Sequence, residues 1–324
     1  MPPQIATLTP NPAIDQTLSI PGFKAGAVNR VAWEQADPGG KGVNVASFLA
    51  DFGFPVTACG FLGQENAGLF QELFQRKSIQ DRFVRIAGRT RTNVKIIDDL
   101  DNQITDINFP GQPPTEADLE RLHQTIDQLT ADHDWFVLSG SLPKGLPPAL
   151  YAELTQRLKA AGKIVVLDAS GESFRQAVSA GADAVKPNRE ELQEVLGRSL
   201  GSPVAIVEAA RQLLAQGIRT AVVSMGAEGA IFVEADQALL ARPPQLKVVS
   251  TVGAGDAMVA GLITGKLRRL SLADTARLAT AFSMGALSEI GPRLPPPSVI
   301  ESFSQRVEIE VLTALDQPAN FLSR

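Results

Sequence analysis

The segment Ser250–Gly261 carries the residues whose types and spacing point most directly to chemistry. Its β-branched start, two glycines and small apolar residues at helical spacing predict a strand, a turn and a helix. Gly253 and Gly255, on either side of Ala254, let a charged ligand approach the main chain, so that successive N–H groups can bind phosphate at the helix N-terminus. Asp256 follows in the first helical turn, where a carboxylate can cap the helix, bind a metal or accept a proton.

A second glycine-rich stretch, Pro38–Ala46, also precedes a predicted helix. Gly39 and Gly40 let the backbone approach a polar ligand, and Asn44 can form hydrogen bonds with hydroxyl groups. The stretch contains Lys41 but is not a Walker A loop, because that motif needs wider glycine spacing and a hydroxyl residue after the lysine. It therefore predicts contacts with a polar ligand of another kind.

Further polar residues lie where a ligand could bind. Asp15 follows the first predicted strand, where it either accepts hydrogen bonds from hydroxyl groups or forms a local turn. Arg89 and Arg91 bring two guanidinium groups together, which suits bidentate phosphate binding, although exposed arginines are usually only solvated. Ser139 ends the apolar run Trp135–Leu138, at the strand end where α/β sheets bind ligands.

Two later segments have the features of a nucleotide site. In Lys186–Leu192, Asn188 and Glu191 lie three positions apart, so they could share a helix face and hold hydrated magnesium. The same spacing is that of a helix-capping box, and the two interpretations can coexist. Ser224–Ala230 resembles a hairpin turn whose glycines leave space for a nucleotide.

Composition excludes several classes of protein. A chain of 324 residues with 44% hydrophobic and 20% charged residues is ordinary globular composition, and its net charge of −5 argues against a general nucleic-acid partner. No apolar run approaches the roughly 20 residues that span a bilayer, so we expect a cytoplasmic protein without a membrane partner. Cys59 is predicted to be a buried small hydrophobe. His123 and His133 are interpreted as surface residues, which leaves Ser139 without a base for nucleophilic catalysis.

Strand-like and helix-like segments alternate along the chain. Apolar β-type runs predict strands at Ile5–Leu8, Val56–Leu62, Trp135–Leu138, Ile164–Leu167, Ala184–Lys186 and Thr220–Ser224. Amphipathic stretches such as Glu116–Leu129 and Pro203–Ala215 lie among them and indicate a mainly parallel sheet with helices on both faces. No linker divides residues 1–324, so we expect a single domain. Segments 16–34 and 92–109 fall outside the layered pattern and predict a small sheet that serves as a lid, or an ordinary edge extension.

Four motifs resemble those of the ribokinase-like (PfkB) family of sugar kinases: Gly39–Ala46, Lys186–Leu192, Ser224–Gly229 and Thr251–Asp256. The resemblance spans most of the chain. It implies a three-layer α/β/α fold with a small β-sheet lid, a homodimer formed through that lid, and transfer of the γ-phosphoryl group of ATP to a sugar hydroxyl. Matches at Thr7–Asp15, Gly60–Gly63, Arg89–Lys95 and Thr105–Phe109 imply a ketohexose phosphate as substrate, first of all D-fructose 1-phosphate, with fructose 6-phosphate and tagatose 6-phosphate as alternatives.

The resemblance also implies a role for each matching residue. Asp256 would be the base that takes the hydroxyl proton, and the amides of Gly253, Ala254 and Gly255 would stabilise the moving phosphoryl group. The sugar would contact Asp15, Gly39, Gly40, Asn44 and Ser139, with Lys41 and Arg91 near its phosphate. ATP would contact Lys186, Asn188, Ser224, Gly226, Gly229 and Thr251, and Asn188 and Glu191 would hold Mg²⁺ through water.

The resemblance leaves a candidate cation site, one departure from the family pattern and two alternative functions to consider. Family members often bind a monovalent cation, K⁺, near the stretches that match Ser250–Val252 and Gly291–Arg293. Ala257 departs from the hydroxyl residue common after the catalytic acid, and the residues after Leu315 have no assigned role. A non-catalytic sugar-phosphate or nucleotide sensor is an alternative, against which the intact Asp256 turn argues. A Rossmann dehydrogenase is disfavoured, because no Gly-x-Gly-x-x-Gly follows the first strand.

Overall fold

A ten-stranded β-sheet forms the centre of the computed structural model, which describes residues 3–101, 103–246 and 248–312. Its strands, numbered along the chain together with those of a second sheet, are β1 Ile5–Thr9, β4 Val56–Gly63, β5 Gln80–Ile86, β8 Trp135–Ser139, β9 Ile164–Asp168, β10 Ala184–Val185, β11 Thr220–Ser224, β12 Ala230–Val233, β13 Ala238–Arg242 and β14 Glu308–Val311. Their spatial order is β14-β13-β12-β11-β10-β9-β8-β1-β4-β5. Neighbouring strands from β5 to β11 are parallel, whereas β12, β13 and β14 extend one edge in antiparallel fashion.

The order of the strands creates a crevice between β1 and β8. From β1 the chain builds outward to β4 and β5, and it then returns to the other side of β1 to form β8. In open parallel sheets, ligands bind at the carboxyl ends of the strands where the order reverses in this way. Thr9 ends β1 and Ser139 ends β8, so both residues lie at this edge.

Helices cover both faces of the central sheet. One face carries α1 Lys41–Asp51, α2 Gly68–Lys77, α8 Ala254–Leu267, α9 Leu272–Leu287 and α10 Pro297–Gln305, and the other carries α3 Glu116–Asp132, α4 Leu150–Ala160, α5 Gly171–Val178, α6 Arg189–Leu196 and α7 Pro203–Leu214. Alternate strand residues feed the two cores: in β9, Val166 packs with the first group, and Val165 and Leu167 pack with the second. The predicted three-layer α/β/α fold is confirmed.

A separate four-stranded sheet contains β2 Ala13–Ser19, β3 Trp33–Gly39, β6 Arg91–Asp98 and β7 Gln103–Ile107, in the order β3-β2-β6-β7. We call it the small sheet. The sequence predicted it from segments 16–34 and 92–109, but β2 begins earlier and β3 ends later than those bounds. Residues 20–32 form no strand. Because β3 runs to Gly39, the small sheet leads directly into the first glycine-rich stretch.

The prediction that His133 lies at the surface is wrong. Its side chain is buried, with the residue 5% exposed. The ring Nε2 lies 2.8 Å from Thr57 Oγ1, and Nδ1 lies 3.1 Å from the carbonyl oxygen of Leu129 in the last turn of α3. The same carbonyl oxygen accepts the backbone N–H of His133 at 2.9 Å, so the imidazole makes a second contact at the end of α3.

The strand predicted before Gly253 is also absent from the described residues. Residues 250–252 have no strand pairing, and the N–H of Val249 donates to the carbonyl oxygen of Leu287 at 2.8 Å. The segment is therefore held by the end of α9 instead of by a neighbouring strand. Cys59 is fully buried as predicted. Among the residues that the structure describes, no helix is long and apolar enough to cross a membrane.

Candidate active site

A glycine turn forms the N-terminus of α8. Gly253 precedes the helix with a φ of 75°, a left-handed conformation that glycine adopts without strain. A Cβ placed on Gly255 would lie 3.3 Å from the Nζ atom of Lys186, so an ammonium group lies directly against this turn. Free N–H groups, the helix dipole and a cation all favour a bound anion here. We call residues 253–255 the anion turn: the predicted glycine turn and the helix after it are present, and anion binding there stays a prediction.

Asp256 lies in the first turn of α8 and is only 6% exposed. Its Oδ2 atom accepts a hydrogen bond of 2.7 Å from the Asn44 amide, which lies on α1. Burial raises the pKa of Asp256 to about 6, and the nearby Asp168 carboxylate adds to this effect. Lys41, the Asn44 hydrogen bond and Lys186 act in the opposite direction. The carboxylate is thus held in one orientation, with a pKa near the neutral range that suits a general base.

Asp168 connects the two lysines of the site. It ends β9, and its Oδ1 atom lies 3.1 Å from Lys41 Nζ and 3.5 Å from Lys186 Nζ. Burial opposes its charge, but the two ammonium groups outweigh burial and hold the pKa of Asp168 below its usual range. Likewise, Asp168, Asp256 and Glu191 raise the pKa of Lys41 against the opposing effect of its burial. Two cations and two carboxylates therefore meet at the carboxyl edge of the sheet.

Several buried polar atoms at this edge have no hydrogen-bond partner among the described residues: Thr9 Oγ1, Asn44 Oδ1, Ser139 Oγ and Asp168 Oδ2. They come from β1, α1, β8 and β9, whose ends border the crevice. Proteins rarely leave buried polar atoms unpaired, since each costs about 1–3 kcal/mol. These four atoms are therefore available to form hydrogen bonds with a ligand at this edge of the sheet.

Asp15 lies on strand β2 of the small sheet. Its Oδ1 atom accepts a hydrogen bond of 3.1 Å from the Asn93 amide, and burial raises its pKa. Its other oxygen packs against Gly39, where any Cβ would overlap it. Asp15 borders a cavity of about 220 Å³ between the small sheet and the loops at Val252 and Gly291. The small sheet therefore closes one side of the site.

Arg91 contacts the main chain in this structure. Its guanidinium donates to the carbonyl oxygens of Asn11 at 3.0 Å, Pro12 at 3.3 Å and Phe109 at 3.0 Å. Three of its five N–H groups are thus occupied, and two are left for a ligand. Arg89 and Arg91 line one small cleft, which Asn11 and Pro12 also border. Phosphate binding by Arg91 stays a prediction.

Two of the predicted nucleotide residues, Asn188 and Ser224, lie side by side. Asn188 caps α6: its Oδ1 accepts from the Glu191 N–H at 2.7 Å, and Glu191 Oε2 accepts from the Asn188 N–H at 2.8 Å. The capping box is confirmed. Asn188 also bridges to Ser224, the last residue of β11. The predicted hairpin joins β11 to β12.

The two glycines of that hairpin differ. Around Gly226, which has a φ of 59°, the space is open, as a nucleotide contact needs. A Cβ on Gly229 would overlap the carbonyl oxygen of Ala241, so close packing explains this glycine without a ligand. Thr251 is exposed just before the anion turn. The nucleotide roles of these residues stay predictions.

Comparisons with known proteins agree with this geometry. The profile of the family described as "pfkB family carbohydrate kinase" matches residues 9–299. The chain belongs to this family. A 1-phosphofructokinase of Rhodobacter capsulatus is 51% identical over 310 residues, which cover 95% of this chain and 98% of that protein.

Solved structures of related kinases have the same fold. A possible 1-phosphofructokinase of Thermotoga maritima has a TM-score of 0.87 at 27% identity, covering 96% of this chain and all of that one. Phosphofructokinase-2 of Escherichia coli in complex with potassium has a TM-score of 0.86 at 27% identity, covering 94% of this chain and 98% of that one.

Within this pfkB-family kinase, the structure brings most of the predicted residues together. Asp256, Lys41, Lys186 and Asn44 lie close together beside residues 253–255, and Asp15 lies on the small sheet against Gly39. The residue that the sequence interpretation missed is Asp168. A signal was present, because an acidic residue directly follows the apolar run 164–167, at the ligand-binding end of a parallel strand.

Proposed function

We propose that this chain transfers the γ-phosphoryl group of ATP to the free terminal hydroxyl of D-fructose 1-phosphate, which gives fructose 1,6-bisphosphate. The observation that carries the proposal is the buried, oriented carboxylate of Asp256 beside the anion turn. The 51% identity to a 1-phosphofructokinase supports the choice of substrate.

Asp256 is the proposed general base. It accepts the proton of the sugar hydroxyl as the oxygen attacks the γ-phosphorus, and the Asn44 amide keeps the carboxylate in place. Proton transfer of this kind contributes about 10²- to 10⁴-fold in rate, or roughly 3 to 5 kcal/mol of barrier. Positioning and electrostatic stabilisation supply the larger share of phosphoryl transfer.

Charge on the moving phosphoryl group is stabilised by the anion turn and the lysines. The N–H groups of residues 253–255 form the proposed anion hole, and the Lys186 ammonium lies against it. The sequence assigned Lys41 to the existing phosphate of the sugar. Its place beside Lys186, on the same oxygen of Asp168, favours a position at the transferred phosphoryl group instead.

The sugar lies between the central and small sheets in this proposal. Asn44, Ser139, Gly39, Gly40 and Asp15 contact its hydroxyl groups, and the unpartnered oxygens of Asn44 and Ser139 support this role. Arg91 binds the phosphate at the far end of the sugar with its two remaining N–H groups. This arrangement places the free hydroxyl at Asp256 and the phosphate away from it.

Lys186, Asn188, Ser224, Gly226, Gly229 and Thr251 are the proposed ATP contacts. Mg²⁺ neutralises phosphate charge when it is bound. The capping box leaves Glu191 Oε1 and the second lone pair of Asn188 Oδ1 available, so both side chains could accept hydrogen bonds from the water shell of that ion. In the described parts of the chain there is no cluster of three His, Cys, Asp or Glu that could form a metal cage. A K⁺ site near residues 250–252 and 291–293 is supported by the potassium complex of the Escherichia coli enzyme.

A homodimer formed through the small sheet completes the proposal. The sheet and its flanks expose Trp33, Ile104, Ile107 and Phe109, each between 38% and 50% accessible. Trp33 and Ile104 lie in one cross-strand row and therefore on one face of the small sheet, and exposed apolar groups on a face favour association. We also propose that the enzyme works in the cytoplasm, where ATP and Mg²⁺ are available.

A substrate panel tests the proposed function. Purified protein is assayed for ADP release with Mg²⁺-ATP and, in turn, fructose 1-phosphate, fructose 6-phosphate, tagatose 6-phosphate and fructose. We expect the highest kcat/KM with fructose 1-phosphate. A higher value with fructose 6-phosphate would favour the activity named for the Escherichia coli relative, equal rates on fructose would remove the phosphosugar assignment, and no ADP release with any sugar would leave a sensor.

A further inference from the structure

One ion pair joins the small sheet to the other side of the site. Asp37 lies on β3, is 5% exposed, and accepts hydrogen bonds from Arg293 Nη2 at 2.5 Å and Nη1 at 3.3 Å. Arg293 belongs to the loop between α9 and α10. The two residues are 256 positions apart, so the pair forms only when both regions are in place.

On the small-sheet side, Asp37 is next to the residues proposed to hold the sugar. It pairs in register with Asp15 across β2 and β3, and Gly39 follows two residues later on the same strand. The Gln35 amide also donates to Asp37 Oδ2 at 2.6 Å. A shift of Asp37 would therefore move Asp15 and the beginning of the glycine-rich stretch.

On the other side, Arg293 is next to the anion turn. Gly291 packs so tightly against the Asp37 carboxylate that a Cβ there would overlap Oδ2. Pro292, the next residue, packs on the anion turn: its Cα lies 3.6 Å from the position of a Cβ placed on Gly253. The contacts run without interruption from the small sheet through residues 291–293 to the anion turn.

We propose that Asp37 and Arg293 are positioning residues, which fix the distance between the sugar site on the small sheet and the phosphoryl site at the anion turn. The inference rests on the proposed function, because it assigns the two sides of the cavity to sugar and phosphate. Removing one partner of a buried ion pair leaves an uncompensated charge, so the intact pair favours the arrangement in which the two regions lie together. The rate of phosphoryl transfer is sensitive to this distance, since a displacement of about 1 Å can lower the rate about 100-fold.

The test compares variants of matched exposure. Arg293→Met and Asp37→Asn each break the pair, and Asp37→Asn leaves the bond from Arg293 to the Ile290 carbonyl intact. Arg242→Met is the control, because Arg242 pairs with Glu310 on the distant edge strands and its side chain is 46% exposed, against 45% for Arg293. Each variant is measured for kcat and KM, and for hydrogen–deuterium exchange without ligands.

Both pair variants are expected to lower kcat/KM for the sugar phosphate about tenfold to a hundredfold, and the double variant to be no worse than the more affected single variant. Exchange should rise together in β3 and in residues 250–255, while Arg242→Met changes neither quantity. Unchanged exchange in residues 250–255 or additive kinetic losses would overturn the inference. If the unmodified protein proves inactive on every sugar, the proposed function fails, and the exchange data alone decide whether the two regions are coupled.

Discussion

Two buried aspartates at opposite ends of the central sheet behave differently. Asp183 lies at the amino end, just before β10, where its carboxylate binds Lys159 at 2.6 Å and the Val165 N–H at 2.9 Å, with Arg219 3.6 Å away. Asp168 lies at the carboxyl end of β9, where both of its lysines share one oxygen. Its second oxygen is buried without a partner among the described residues.

The difference separates structural from functional charge. The Asp183 carboxylate is bonded to groups of its own protein, so it stabilises the fold, although it also borders a cavity of about 860 Å³. The Asp168 cluster brings four charged groups together, including Asp256, and leaves acceptor atoms unpaired. Such an arrangement, with perturbed pKa values and unpaired acceptor atoms, is typical of functional sites.

Asp256→Asn is expected to have the largest effect on activity, so it is the strongest test of the difference between the two clusters. We expect kcat to fall about 10²- to 10⁴-fold while fructose 1-phosphate still binds, because only the proton acceptor is lost. Unfolding free energy at pH 7 should not decrease, since burying the ionised carboxylate disfavours the fold. Steady-state kinetics, calorimetric titration and thermal unfolding measure these three quantities. Near-normal turnover would refute the role of Asp256 as base.

Asp168→Asn should have the next largest effect. The two ammonium groups would lose their shared counter-charge and repel each other, and we expect kcat to fall about tenfold to a hundredfold from their misplacement. The measurement is kcat at saturating substrate, with the melting temperature as a check on folding. A variant that loses stability but keeps its kcat would place Asp168 in the same structural class as Asp183.

Arg91→Ala tests a residue that is neither purely structural, like Asp183, nor free of bonds to its own protein. Its guanidinium already binds three carbonyl groups, yet it is the proposed phosphate ligand. Losing a charge-assisted contact of about 1.5–3 kcal/mol would raise KM for fructose 1-phosphate by roughly one to two orders of magnitude. KM is measured beside that for ATP, which should not change. An unaltered sugar KM with a lower melting temperature would make Arg91 structural.

Asp183→Asn is expected to lower stability and leave activity unchanged, which is the reverse of the pattern expected at Asp256. Replacing the carboxylate weakens its bonds to Lys159 and the backbone, so unfolding free energy should fall by about 1–3 kcal/mol. Activity should stay within about twofold, because the residue lies at the far end of the sheet. Denaturant unfolding and kcat/KM are measured on the same preparation. A large kinetic loss with normal stability would contradict the division between the two ends.

A smaller effect is expected in the pH profile. The base must be ionised, and burial raises the pKa of Asp256 to about 6, so kcat/KM should fall as pH drops through about 6 instead of about 4. Lys41 lowers this pKa, so Lys41→Met should shift the acidic limb to higher pH. Profiles of kcat/KM from pH 5 to 8 test both points. An acidic limb at the same pH in Lys41→Met would show that Lys41 does not influence the pKa of Asp256.

Much of the site was predictable because its key residues depend on local backbone geometry. Gly253 and Gly255 before a helical run identify the anion turn, and the alternation of apolar strands and amphipathic helices identifies the layers. The capping box at Asn188 and Glu191 is local as well. Patterns of this kind are written into a few consecutive residues.

The rest depends on contacts between distant segments. Nothing in the sequence near Asp168 distinguishes it from Asp183 except the strand end at which each lies. The burial of His133 depends on Thr57, which comes from β4, and the path of residues 250–252 depends on the end of α9. The position of Asp15 on the small sheet follows from its pairing with β3 and β6. Local patterns do not encode these pairings.

The most direct test of the central claim is a crystal structure with fructose 1-phosphate, Mg²⁺ and a non-hydrolysable ATP analogue. This account predicts that an oxygen of Asp256 lies within hydrogen-bond distance of the free terminal hydroxyl of the sugar, with the terminal phosphate of the analogue on the N–H groups of residues 253–255. A complex in which the Asp256 carboxylate faces solvent, or in which the phosphate of the sugar occupies the anion turn, would contradict it.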